Sequence, residues 1–168
     1  MTPEFLARIL VRDLNAVRRE LEAYPDEQSV WALPPGVTNS GGTLAMHIAG
    51  NVQHFIGAVL GGSGYKRDRA AEFSKRDVPR SALIVELEAA IVSVGLGMSQ
   101  VSESRLAEDF PEAIAGYRVV TGEWLIHLVS HLGYHLGQID YHRRLVTGNG
   151  ATVGAMAIPE LVTARKTA

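Results

Sequence analysis

The chain has 168 residues, a formal charge of −2, and 46% hydrophobic and 20% charged residues. That length supports one sizeable core, and the near-balanced charge offers no overall basic surface for nucleic acid. There is no cysteine, which excludes disulfides, a cysteine nucleophile and thiolate metal ligation. No apolar run reaches the ~18 residues of a membrane helix. The opening MTPEFLARILVRD carries an early acid and lacks a signal-peptide core, so cytoplasm is the expected location.

Leu6, Leu10, Leu14, Val17 and Leu21 recur in steps of three and four. They predict a first helix over 3–24 with one apolar stripe, ended by Pro25. Asp26–Thr43 reads as a long connection with turn chemistry at Pro34-Pro35-Gly36 and Asn39-Ser40-Gly41-Gly42. Trp31 and Leu33 are too apolar for a free linker and are expected to pack on the helices. Leu44–Leu60 is the second predicted helix, capped by Ser40 or Thr43 and ended by Gly61-Gly62. His47, Asn51 and His54 share a face there. The two histidines stand ~10 Å apart along the axis and cannot hold one ion. Gly50 and Gly57 cost helix propensity and imply close approach by another helix backbone.

Ser63–Val78 is a charged connection. It reads either as a solvated loop with ion pairs or as an anion-docking edge built by Lys66, Arg67 and Arg69. Pro79–Val101 is the third predicted helix, with a seam of Ile84, Leu87, Ile91, Val94, Met98 and Val101. Ser102–Val120 is polar and reads as loop. The fourth predicted helix runs over 121–147, capped by Thr121 and closed by Gly148 and Gly150. Arg143-Arg144 at its end suit the helix dipole. Ala151–Ala168 is a tail in which Ile158–Thr163 adds a short turn. Four amphipathic helices without a strand predict an all-α fold: a single four-helix-bundle domain over 1–168 with long connections.

The fourth helix contains WLIHLVSHLGYHLGQIDYHRRLV, with His127, His131 and His135 spaced four apart. On a helix that spacing stacks them on one face. His127 and His135 are ~12 Å apart and cannot share an ion. The usable pair is therefore His127/His131 or His131/His135, with a third ligand from elsewhere.

MHIAGNVQHF in the second helix and HLVSHLGYHLGQI in the fourth resemble the DinB/YfiT-like superfamily of bacterial four-helix metalloproteins. The likeness runs from about Leu44 to Leu145. It implies a metal triad of His47, His131 and His135, binding one divalent ion per chain, nickel or zinc. His54 and His127 then become pocket residues around the triad, and Asn51 and Gln138 candidates for orienting the ligands. The resemblance also implies a metal-dependent S-transferase with a low-molecular-weight thiol as co-substrate, since relatives include thiol-dependent transferases and a mycothiol-dependent maleylpyruvate isomerase. Arg67, Arg69, Arg118 or Arg143 would hold a carboxylate of that thiol and small-molecule substrate.

Two other readings stand beside it. One is metal-dependent hydrolysis by a bound water. No carboxylate lies on the histidine faces and Asp140 is expected to point away, so His127 or His54 would be the base. The other is a non-catalytic, stress-related metal-binding protein. A homodimer is expected, because relatives form them and Trp31, Phe55, Phe73 and Phe110 exceed what one bundle would bury. Neither nucleic acid nor membrane is expected as a partner.

Overall fold

A computed structural model describes residues 2–167. Met1 and Ala168, the two ends of the domain expected over 1–168, lie outside the described residues. Helix α1 (Pro3–Glu22) buries the expected stripe of Leu6, Leu10, Leu14, Val17 and Leu21. It stops two residues early, and Tyr24 turns into the core instead of extending the helix.

The stretch read as a long connection holds a helix, α2 (Glu27–Trp31). Its signal is a cap: the Asp26 carboxylate accepts from the Ser29 N–H at 2.7 Å. The turn delivers Trp31 into the core, whereas Leu33 stays 50% exposed. Helix α3 (Gly41–Val52) starts ahead of the expected Leu44 because Ser40 is its cap, accepting from the Thr43 N–H at 3.2 Å. Gly41 and Gly42 therefore belong to the helix. A β-carbon on Gly41 would strike the Tyr24 hydroxyl, and one on Gly42 would lie 2.6 Å from the Trp31 ring. Their smallness lets two core aromatics close on the helix start.

From Gln53 to Leu60 the same helix continues in π form. Widened turns of this kind are frequent at functional sites. Helix α4 (Arg69–Ser74) lies in the charged segment read as a loop, and the Asp68 side chain caps it by accepting from Ala71 N–H at 2.9 Å.

Helix α5 (Arg80–Met98) follows Pro79 and buries Leu83, Leu87, Ala90, Val94 and Met98. Ile84 and Ile91 of the expected seam are only half-buried. The reason is the π segment: a β-carbon on Gly97 would collide with the Ile56 carbonyl, and Gly57 faces Ser93. Placing these small residues at the contact rotates the helix. The close approach expected at Gly50 involves a side chain, that of Glu72 on α4. By length and mean hydropathy α5 could cross a membrane, although Glu86 and Glu88 interrupt its apolar run. Here it packs on α1, α3 and the π segment.

Helix α6 (Thr121–Thr147) is not capped by Thr121, whose hydroxyl instead donates to the Glu108 carbonyl at 3.0 Å. It ends at Gly148, which supplies the left-handed turn (φ 66°). Arg143, expected at the helix end for its dipole, is fully buried. It is ion-paired with Glu20 of α1 and donates to the carbonyls of Asn149 and Ala151. These bonds tie down the segment after α6. Arg19 holds the next part through the Val153 carbonyl at 2.9 Å, ahead of a short 3₁₀ turn, Ile158–Glu160.

Helix α1 packs on α5 and α6, and α3 packs on α5 and α6. The fold is all-helical, with no strand among the described residues, and one core cluster runs through the four long helices. Two isolated bridges, Asp109 with Val120 and Ile114 with Tyr117, order the loop before α6. Trp31 and Phe110 are buried and Phe55 and Phe73 half-buried within one chain. These four aromatics therefore do not call for a partner. The pairing of α3 with α6 brings two histidine-bearing helices side by side.

Candidate metal centre

His47 projects from α3, and His131 and His135 from successive turns of α6. Their Nε2 atoms converge: His131 Nε2 lies 3.2 Å from that of His47 and 3.0 Å from that of His135. Ligand atoms of all three fall within 4.8 Å of one another, so the three histidines can hold a metal ion. Bonds of 2.0–2.1 Å at tetrahedral angles would set such nitrogens about 3.3 Å apart, and the observed separations fit.

The outer ring nitrogens explain the orientation. His47 Nδ1–H donates to Glu72 Oε2 at 3.0 Å, and His135 Nδ1–H donates to Gln138 Oε1 at 2.7 Å. Each bond fixes the tautomer that leaves a lone pair on Nε2. Those lone pairs both face His131. With those tautomers and a neutral His131, at most one proton lies among the three nitrogens, which leaves lone pairs that a cation could share. Burial, then the neighbouring His135 and His47, push His131 down to about 4. Burial also lowers His135, against the opposing bond to Gln138. Both rings are therefore neutral near pH 7 and available as donors.

Glu72 is the residue the sequence reading missed. It is 6% exposed and comes from α4. Arg67 grips it with two bonds, 2.7 Å from Nε to Oε1 and 2.8 Å from Nη2 to Oε2. Burial opposes ionisation of Glu72, but the bonds from Arg67 and His47 outweigh it and hold the carboxyl below its ordinary range. Gly50 makes the room, since a β-carbon there would overlap the carboxylate. An unexplained helical glycine was thus the one signal in the sequence. Phe73, beside Glu72, packs on the His47 ring at 4.8 Å.

The remaining candidates sort by their contacts. His127, one turn before His131, is exposed and stacks on Trp124 at 4.8 Å, so it stands outside the cluster. His54, on the π segment, pairs with Glu112 at 3.2 Å. Asn51 is buried one turn beyond His47. Of the cations expected to hold a carboxylate, Arg143 is sealed in the core with Glu20, and Arg67 is committed to Glu72. Arg118 is exposed and lies 3.4 Å from Asp109. Arg69 is exposed, with its guanidinium 5.2 Å over the Phe73 ring, and Lys66 is exposed. The anion-docking edge is thus reduced, because its central arginine is held by Glu72, which bonds His47. Asp140 faces away from the cluster, towards Arg143 and Arg144.

Residues 9–139 match the DinB superfamily model. The chain belongs to the DinB superfamily. The DinB match runs from α1 to one residue past Gln138 and includes all three clustered histidines, Glu72 and Arg67. No curated protein matches the chain.

Proposed function

We propose that this DinB-superfamily protein is a divalent-metal-dependent enzyme that acts with a low-molecular-weight thiol, in the manner of an S-transferase. Its fold is then the four-helix bundle of the DinB/YfiT type, a single domain, with His47, His131 and His135 as ligands. Nickel and zinc both suit three imidazoles. The observation that carries the reading is the convergence of three imidazole nitrogens without a carboxylate among them.

When bound, a divalent ion would supply positive charge that favours a thiol as thiolate. Three neutral ligands leave that charge uncompensated, which a carboxylate ligand would not. The Glu72 bond to His47 makes that ring a stronger donor. Arg69, exposed beside Phe73, offers a cation for a carboxylate of the thiol. Hydrolysis is less well supplied with a base. Glu72 is engaged by Arg67 and His47, and Asp140 by Arg143 and Arg144. The reading includes a cytoplasmic homodimer with a small-molecule substrate.

The test uses cobalt-loaded protein titrated with glutathione and with cysteine. A new thiolate-to-cobalt charge-transfer band is expected. Ester turnover abolished by chelator and restored by metal, without that band, would replace the thiol reading with hydrolysis. Stoichiometric metal with neither response would leave a non-catalytic metal-binding protein.

A further inference from the structure

A cavity of about 360 Å³ lies between α6 and the segment that leads into α3. It is lined by Val37, Leu44 and Leu145, with Thr38, Asn39 and Gln138 as polar groups. Its volume falls in the range of small-molecule pockets, about 300–1,000 Å³. Leu44 sits one helical turn from His47 on α3, and Gln138 one turn from His135 on α6. The cavity therefore begins one turn from the histidine cluster on both helices. Gln138 belongs to both places, since its Oε1 accepts from His135 Nδ1 at 2.7 Å while its side chain lines the cavity.

None of the lining residues is an acid, a lysine or an arginine. His142 also lines it, but both of its ring nitrogens are occupied. The Tyr24 hydroxyl donates to Nδ1 at 2.6 Å, and Nε2–H donates to the Ala32 carbonyl at 2.8 Å. Burial keeps this imidazole below its ordinary value and hence uncharged at neutral pH. The outer wall is stiff. Pro34 and Pro35 lead into Gly36 at φ 81°, and the Val37 N–H closes the turn on the Pro34 carbonyl at 3.0 Å. An anion entering here would lose hydration and find no countercharge. A neutral, mostly apolar molecule would lose little and bury apolar surface.

We propose that this cavity binds an uncharged, largely apolar small molecule, with the amides of Gln138 and Asn39 for one polar group, and that its occupancy is felt at the histidine cluster through the Gln138–His135 bond. The inference rests on the metal-centre reading for the coupling, since Gln138 bonds the outer nitrogen of His135.

Two dyes with one aromatic framework test the charge selection: N-phenyl-1-naphthylamine, neutral, and 8-anilino-1-naphthalenesulfonate, anionic. Fluorescence titration of the full metal-free chain is expected to show one saturable site for the neutral dye, with the anion at least ~10-fold weaker. Leu145→Glu, at an exposed position on the cavity rim, is expected to weaken the neutral dye at least ~10-fold, as is Thr38→Phe, which fills the cavity. Gly95→Glu, in the separate groove between α1 and α5, should leave binding unchanged. In the cobalt-loaded protein the neutral dye should shift the visible bands through Gln138 and His135. No saturable binding, tighter binding of the anion, loss in Gly95→Glu with retention in Leu145→Glu and Thr38→Phe, or unmoved cobalt bands at saturation would each overturn the proposal. Metal content is measured separately. Saturable, rim-sensitive dye binding by a chain that takes up no metal would sink the metal reading while upholding the cavity, so the two failures are told apart.

Discussion

Helix α6 carries histidines in two different settings. His142 has both ring nitrogens bonded, one by the Tyr24 hydroxyl and one by the Ala32 carbonyl. Beside it, Arg143 is matched to Glu20 and to backbone carbonyls. Two turns earlier, the Nε2 atoms of His131 and His135 face each other at 3.0 Å, and that of His131 faces His47 at 3.2 Å. Residue type and helix are alike, and burial lowers the pKa of all three rings. What differs is whether the polar atoms are satisfied by the chain itself. A satisfied buried polar group stabilises a unique core, whereas lone pairs held together in a neutral cluster form a site for a cation.

The comparison can be broken most forcefully at Arg143. Arg143→Ala leaves Glu20 buried without its partner and should cost about 3–5 kcal/mol in urea unfolding, with metal content per folded chain unchanged. Next is Glu72→Gln, which keeps the shape but removes the charge behind His47. Metal affinity should fall ~10–100-fold in a competitive chelator titration, and an unchanged affinity would remove Glu72 from the site.

Acid sharpens the same contrast. His131 sits near 4 in the folded chain against 6.5 as its ordinary value. The unfolded chain therefore takes up the proton first. The stability that neutral His131 provides is present above about pH 6.5 and lost as pH falls towards 4. Metal-free protein should lose about 1–2 kcal/mol between pH 7 and 5, and His131→Ala should lose less. Equal slopes would assign the effect to His135 and His142, whose rings burial also lowers. The smallest change is Tyr24→Phe, which removes one bond to His142. It should cost about 1 kcal/mol and leave metal binding intact.

The long helices and the histidine spacing were legible because they rest on local periodicity. Leu6 to Leu21 on α1 and His131 with His135 on α6 need no tertiary knowledge. Resemblance to a family, and not spacing, selected His47 and set aside the His127/His131 pair. Glu72 was illegible, because it lies in a short helix within a charged segment and meets His47 only when α4 closes on Gly50. Arg143 read as a helix-dipole partner or a carboxylate holder because sequence does not reveal Glu20 waiting on α1. The α5 seam was legible at Leu87, Val94, Met98 and Val101, whereas Ile84 and Ile91 yielded their places to Leu83 and Ala90, since small residues facing the π segment set the helix rotation. Short helix α2 was missed although Asp26 and Ser29 carried its cap in plain view.

The most direct test of the account is metal content. Untagged protein is incubated with zinc or nickel, desalted, and measured by plasma mass spectrometry beside His131→Ala, with circular dichroism confirming that both are helical. The account predicts about one equivalent in the parent and near none in His131→Ala. A parent that takes up no metal, or a folded His131→Ala that retains the full equivalent, would contradict it.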